Sequence, residues 1–173
     1  MKRMFWIDLE MSGLDENTDK ILEIAVIITD LNFEVLETYH KIVFQPPEVL
    51  ETMNDWCKNT HGKSGLTALI PNGIPLAQVE KELIELSGRH FTNEKIVLCG
   101  NSVGTDKRFL EVGMPVFSQQ LHYRIVDISS FKEIFSSIYG VEFQKKDSHR
   151  ARDDILESIA ELGHYLTFVN AKR

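Results

Sequence analysis

The order of patterned segments in this chain predicts an α/β protein with a mixed sheet flanked by helices. Two observations lead there. Three strand-like runs come first and lie close together, and the longer helical segments come later, as expected when helices pack on the faces of a sheet. A third observation concerns chemistry: a few acids interrupt these elements at positions where the local pattern asks for apolar residues.

The strand-like runs are Met4–Leu9, Ile21–Thr29, Val35–Phe44, Ile96–Cys99 and Tyr123–Asp127. The first three follow one another with Asp30-Leu31-Asn32 as one turn, so they are expected to form an antiparallel meander. Helical periodicity covers Glu48–Lys58, Leu76–Ser87, Asp106–Val112, Ser129–Ile138 and Ala151–Val169. Pro46-Pro47 and the stretch from Pro71 to Pro75 read as breaks within one domain, because neither flank is large enough to fold alone. No internal repeat or low-complexity tract is present.

Asp8 and Glu10 stand two residues apart on the first strand, so they share one face while Phe5, Ile7 and Leu9 share the other. Two adjacent anions at the end of a buried strand repel each other and resist desolvation. Taken alone they also fit a frayed strand end in water. Asp106 follows the apolar run Ile96-Val97-Leu98-Cys99 and the turn Gly100-Asn101-Ser102-Val103-Gly104, with Thr105 as the expected N-cap and Pro115 as the expected helix stop. It shares a helix face with Phe109, Leu110 and Gly113, although an acid in a first turn is also ordinary capping chemistry. On the last helix the apolar stripe is Ala151, Ile155, Ile159, Leu162 and Leu166. Asp154 falls inside that stripe, whereas Asp153 falls outside it, with Glu157, Ala160, Glu161 and His164. His149 comes five residues before Asp154, after the polar run Gln144 to Ser148, read as a mobile loop. A general base needs such a place, although a loop histidine is by default a surface residue.

Composition narrows the function. The chain has 173 residues, enough for a substantial core, with 19 basic and 26 acidic side chains and a net charge of −7. That balance argues against a protein that grips long nucleic acid through a broad basic surface. The two cysteines offer no disulfide framework, and histidines and cysteines lack zinc-ligand spacing, which favours an oxygen-ligand site for Mg²⁺ or Mn²⁺. Neither a signal peptide nor a membrane span is read from the sequence, so a reducing intracellular compartment is expected: the cytoplasm, or the mitochondrion if a transit peptide precedes this sequence.

The segments Trp6 to Asp15, Cys99-Gly100-Asn101-Ser102 with Asp106, and His149 to Asp154 resemble the three motifs of the DEDDh 3′-to-5′ exonucleases. Within that superfamily Asp55-Trp56-Cys57, Thr60-His61, Ser64-Gly65-Leu66 and His122-Tyr123-Arg124 are similar to oligoribonucleases, and the likeness runs from Met4 to about Leu166. The poorly matching stretches, Ile70 to Pro75 and Tyr139 to Lys146, are expected to be loops. The resemblance implies a ribonuclease-H-like fold, an antiparallel meander plus parallel strands, as a single exonuclease domain over residues 1–173.

It further implies that Asp8, Glu10, Asp106 and Asp154 hold two divalent cations, Mg²⁺ or Mn²⁺, and that His149 takes the proton of the attacking water. It places Met11, Leu14, Trp56 and His61 against the bases, and Ser102, Arg124 and Ser129 around a 5′-phosphate. Tyr123 and Arg124 would reach the substrate across a two-fold homodimer. Without the resemblance Trp56 fits a core aromatic, His61 a loop histidine, Tyr123 the start of a strand and Arg124 a solvated side chain. The implied substrates are short single-stranded oligoribonucleotides, with no membrane and no long duplex involved. A DEDDh nuclease acting on DNA ends and a non-catalytic nucleotide-binding module are the competing expectations; an eroded carboxylate would have favoured the second, and none is eroded.

Overall fold

The computed structural model describes residues 2–144 and 150–169. His149 and most of the polar run before it therefore lie outside the described residues.

The first strand, β1 (Met4–Met11), sits at the centre of a five-stranded sheet of order β3-β2-β1-β4-β5. Its partners are β2 (Ile21–Thr29) and, beyond that, β3 (Val35–Ile42), both in antiparallel pairing, as the closely spaced apolar runs predict. β3 is shorter than expected: after Ile42 only an isolated bridge joins Val43 to Ile74. On the other side of β1, β4 (Ile96–Gly100) and β5 (Leu121–Asp127) add in parallel. A Cβ at Gly100 would stand 2.7 Å from the Ile7 carbonyl oxygen, so glycine is what lets β4 close on β1 there. The mixed sheet with helices on both faces is the expected fold class.

Between β3 and β4 the helices are α1 (Pro47–Thr52), α2 (Asp55–Lys63), α3 (Leu66–Leu69) and α4 (Leu76–His90). The single helix expected over Glu48–Lys58 is thus two. Asn54 divides them, its side chain accepting the Cys57 N–H at 2.8 Å as an N-cap. α2 then runs on to Lys63, so His61 is a helical residue and not a loop one. Ile70–Asn72 forms one 3₁₀ turn where a loop was expected.

After β4 come α5 (Gly104–Gly113) and α6 (Pro115–Ser118). Two local expectations change here. Thr105 lies inside the first turn of α5 and does not cap it, with Val103 in the capping position. Pro115 opens α6, where its missing N–H costs nothing, and the Glu80 carboxylate accepts the next two donors, Val116 N–H at 2.7 Å and Phe117 N–H at 3.0 Å. The chain ends with α7 (Ile128–Tyr139) and α8 (Ala151–Leu166).

Strand alternation divides the core. Phe5, Ile7 and Leu9 of β1 pack with Val79, Leu83 and Leu86 of α4 and with Phe109 and Leu110 of α5. Met4 and Trp6 face the other way, against Ile128 of α7 and Ala151, Ile155 and Leu162 of α8. Asp8 and Glu10 share the parity of Met4 and Trp6, so the sheet presents them to α8. A third cluster, Leu22, Met53, Cys57, Leu66 and Ile70, seats α2 and α3 beside the sheet.

Glu161 departs from the expected pattern. Its side chain is fully buried, not on the outer face with Asp153, and accepts the Tyr165 hydroxyl at 2.9 Å. Phe135 of α7 stacks on Tyr165 at 4.9 Å, so α7 covers that flank of α8.

Candidate active site

Three of the four singled-out acids converge. Single carboxylate oxygens of Asp8, Glu10 and Asp154 lie within 4.8 Å of one another. Alternation along β1 supplies the first two. The third comes from the first turn of α8, where the helix stripe turns Asp154 inward and leaves Asp153 exposed. Asp106 stands just behind. It is buried, and its Oδ1 accepts the Leu9 N–H at 2.9 Å. The ladder between β1 and β4 runs through Phe5 and Trp6, so the Leu9 amide lies beyond it and takes the carboxylate instead.

The charges at this end of the sheet work against one another. Burial first, then the neighbouring Asp106, Glu10 and Asp154, holds Asp8 well above the usual carboxylate range. Burial, followed by Asp154, Glu23 and Asp106, pushes Glu10 up to about 8. Asp106 is pushed up to about 7, burial outweighing the hydrogen bond from Leu9. A group of oxygen donors that repel one another and resist ionisation is a site a divalent cation would relieve.

The acids open into a cavity of about 450 Å³, lined by Met11, Gly13 and Leu14 on one side and by Asn54, Trp56, Cys57 and His61 of α2 on the other. Leu14 is 76% exposed and Trp56 62% exposed, so both project from the walls, and a core role for Trp56 is excluded. The turn carrying Leu14 is braced by Asp19, which accepts from Ser12 Oγ at 3.1 Å and from the Asp15 N–H at 3.0 Å. His61 is different, being only 1% exposed. Its Nε2–H donates to the Met11 carbonyl at 2.9 Å, and Nδ1 lies 3.8 Å from Glu10 Oε2. It joins α2 to the end of β1 and presents no free ring face for stacking.

The remaining candidates form a separate group. One oxygen, Asp127 Oδ1, accepts the Ser102 N–H at 2.9 Å, the Ser129 N–H at 3.0 Å and the Ser129 hydroxyl at 2.6 Å. Ser102, at the turn after β4, adopts a left-handed φ of 52°. Tyr123 and Arg124 lie exposed on β5, the outer strand of the sheet. The Arg124 guanidinium sits over the Tyr123 ring at 5.2 Å, and neither residue lines the acidic cavity of its own chain.

One part of the site lies outside the motif segments. Glu23 of β2 pairs across the strands with Glu10, at the last position before the register shift at Met11. It is completely buried and gripped by Arg150, whose Nε lies 3.1 Å and Nη2 2.8 Å from Glu23 Oε1. His40 of β3 donates to the same oxygen at 2.6 Å. Burial would raise the Glu23 pKa, but the hydrogen bonds from His40 and Arg150 outweigh it and hold the carboxylate below its usual value. The signal was available: Glu23 interrupts the apolar run Ile21–Thr29 as Asp8 interrupts β1.

The RNase_T exonuclease family model matches residues 5–162. Together with the fold it defines the class: an exonuclease domain of the DEDDh superfamily. Among named proteins, the mitochondrial oligoribonuclease of Homo sapiens is 44% identical over 178 aligned positions, covering 99% of this chain and 75% of its own. A probable oligoribonuclease of Dictyostelium discoideum is 46% identical, covering 95% and 88%. The oligoribonuclease of Francisella tularensis subsp. tularensis is 41% identical, covering 94% and 93%. The chain belongs to the oligoribonuclease family. Among solved structures, Escherichia coli exonuclease I in complex with a dA16 oligonucleotide superposes with a TM-score of 0.74 at 16% identity, covering 96% of this chain. The chain spans only 41% of that exonuclease I, and the likeness is one of fold.

Proposed function

We infer that this chain is a 3′-to-5′ exoribonuclease that degrades short oligoribonucleotides, dinucleotides above all, to nucleoside 5′-monophosphates. The observation that carries this reading is the meeting of Asp8, Glu10 and Asp154 on the floor of a cavity whose walls bear the exposed Leu14 and Trp56. A converging set of carboxylate oxygens suits Mg²⁺ or Mn²⁺. Asp8, Glu10, Asp106 and Asp154 would hold two such ions. When bound, the ions would supply charge neutralisation at the scissile phosphate and at the leaving 3′-oxygen, and would ease deprotonation of water.

The chain's own groups do the rest. Leu14 and Trp56 hold the terminal bases by apolar contact and stacking, which any base satisfies. Met11 and His61 fix the floor of that pocket through their mutual hydrogen bond. His149 accepts the proton of the attacking water, the water oxygen bonds to phosphorus as the bond from phosphorus to the 3′-oxygen breaks, the 3′-oxygen takes a proton from solvent, and a nucleoside 5′-monophosphate leaves. Ser102, Ser129 and Arg124 close round a 5′-phosphate, which favours very short chains because a longer one has nowhere to continue. A time course on a 5′-labelled RNA ladder, with a dinucleotide, a long RNA and a matched deoxyribonucleotide in parallel, tests this. Dinucleotides should be consumed fastest and only with added metal. Faster cleavage of the DNA or of the long strand would overturn the substrate assignment.

The same site predicts how stability depends on pH. Glu10 and Asp106 bind protons in the folded protein up to about 8 and about 7, against ordinary values of 4.5 and 3.8. Between those limits the folded state holds more protons than the unfolded one, so stability falls as pH rises. Glu23 acts in the opposite sense, but only below its ordinary value of 4.5. Metal-free protein should therefore melt at lower temperature at pH 8 than at pH 5.5, and saturating Mn²⁺ should flatten or reverse the trend. Thermal melts with and without chelator check it; a metal-free melting point that rises over this range would contradict the buried-acid arrangement.

A two-fold homodimer is part of the reading. Tyr123 and Arg124 are exposed on an outer strand, away from their own cavity, which supports their serving a second copy. Mixing inactive Arg124→Ala with inactive Asp8→Asn should restore activity in heterodimers, where one protomer keeps its acids and the other its arginine. Mass spectrometry must show that subunits exchange. Proven exchange without recovered activity would make the two sites independent.

A further inference from the structure

We propose that Arg150 is a positioning residue for the reaction: clamped by the buried Glu23, it fixes the head of α8, and thereby Asp154, against Asp8 and Glu10. The inference rests on the reading of Asp154 as a metal ligand and deepens it.

Arg150 acts through both its backbone and its side chain. Its carbonyl accepts the Asp153 N–H at 2.9 Å and the Asp154 N–H at 3.1 Å, the first hydrogen bonds of α8. Its guanidinium forks onto Glu23, with Nε 3.1 and 3.2 Å from the two carboxylate oxygens and Nη2 2.8 Å from Oε1. The Ala151 N–H adds a longer bond to Glu23 Oε2 at 3.4 Å. Nη1 reaches the Ser64 carbonyl, also at 3.4 Å, at the end of the helix that carries Trp56 and His61. One side chain thus ties α8 to β2 and to the end of α2. Glu23 is the cross-strand neighbour of Glu10, so the clamp bears on the sheet at the level of the acids.

A planar fork fixes direction as well as distance, which a lysine does not. A helix held at its first turn carries its first-turn side chains with it. Ala151 and Ile155 pack α8 onto β1, and the clamp sets the direction of its first turn there, which Asp154, four residues after Arg150, follows. No group of the clamp needs to touch the substrate.

Removing Arg150 alone would leave Glu23 buried without its main partner, which threatens the fold. The informative variant is therefore Glu23→Gln/Arg150→Met, which removes one charge of each sign and leaves the local net charge unchanged. The assays are Mn²⁺ binding by calorimetry, thermal melting, and kcat and KM on a dinucleotide. The folded double variant should bind Mn²⁺ about 10- to 100-fold more weakly, the usual cost of losing a group that orients a ligand, with kcat reduced similarly and KM little changed. Parental Mn²⁺ affinity and kcat in the folded double variant would overturn the proposal and leave the clamp a matter of stability alone. If the double variant does not fold, Arg150→Lys decides, since it keeps the charge and loses the fork: weakened Mn²⁺ binding supports the proposal and parental binding overturns it. Asp154→Asn is the control for the underlying reading. Parental Mn²⁺ affinity in Asp154→Asn would remove Asp154 as a ligand, whereas loss there beside intact Arg150 variants removes only the positioning role.

Discussion

Asp154→Asn should eliminate both Mn²⁺ binding and turnover, while Asp153→Asn keeps both. The two residues are adjacent and chemically identical, so the comparison controls for charge and helix position. What differs is direction. Asp154 faces the β1 acids within 4.8 Å, and Asp153 faces solvent. Asn is close to isosteric with Asp and can still hold the first turn, so the substitution removes a charged ligand without removing a cap. Calorimetry with Mn²⁺ on both variants checks this, and equal losses of affinity would end the assignment of Asp154.

His149→Ala should leave the fold and metal binding nearly intact and lower kcat on a dinucleotide by roughly two to four orders of magnitude, the usual range for a lost general base. The acid cluster is assembled from β1 and α8 without it. In sequence it lies one residue before Arg150, whose side chain is anchored beside Glu10. A near-normal kcat in this variant would exclude the role.

Much of this arrangement was legible in the sequence because it depends on periodicity. Alternation along β1 put Asp8 and Glu10 on one face, and the stripe of α8 separated Asp154 from Asp153. Apolar runs located the strands to within a few residues. What stayed hidden depends on a third body. Glu161 falls on the polar side because helical period reports which face is apolar, not what covers the other one; α7 and Tyr165 cover it. The break between α1 and α2 came from Asn54 capping, which competes with a continuous helix for the same residues. The Glu23–Arg150 clamp joins positions 127 residues apart, beyond any local pattern. Periodicity ends the helix at Lys58 and leaves His61 in a loop, whereas α2 runs one turn further, and the burial of His61 follows from that turn.

Asp127 has a consequence for which end of a substrate the protein can read. Its Oδ1 already takes the Ser102 amide, the Ser129 amide and the Ser129 hydroxyl proton. A phosphate arriving there meets an anion and finds those donors spent. Alone, the serine corner is a poor receptor for a terminal phosphate, and a guanidinium would have to change its sign. If Arg124 arrives from a second copy, discrimination between oligomers of different length becomes a property of the pair, while the cavity that cuts belongs to each chain. Dilution that separates the copies would then stop hydrolysis of the shortest substrates, as Arg124→Ala does, although every chain keeps its acids.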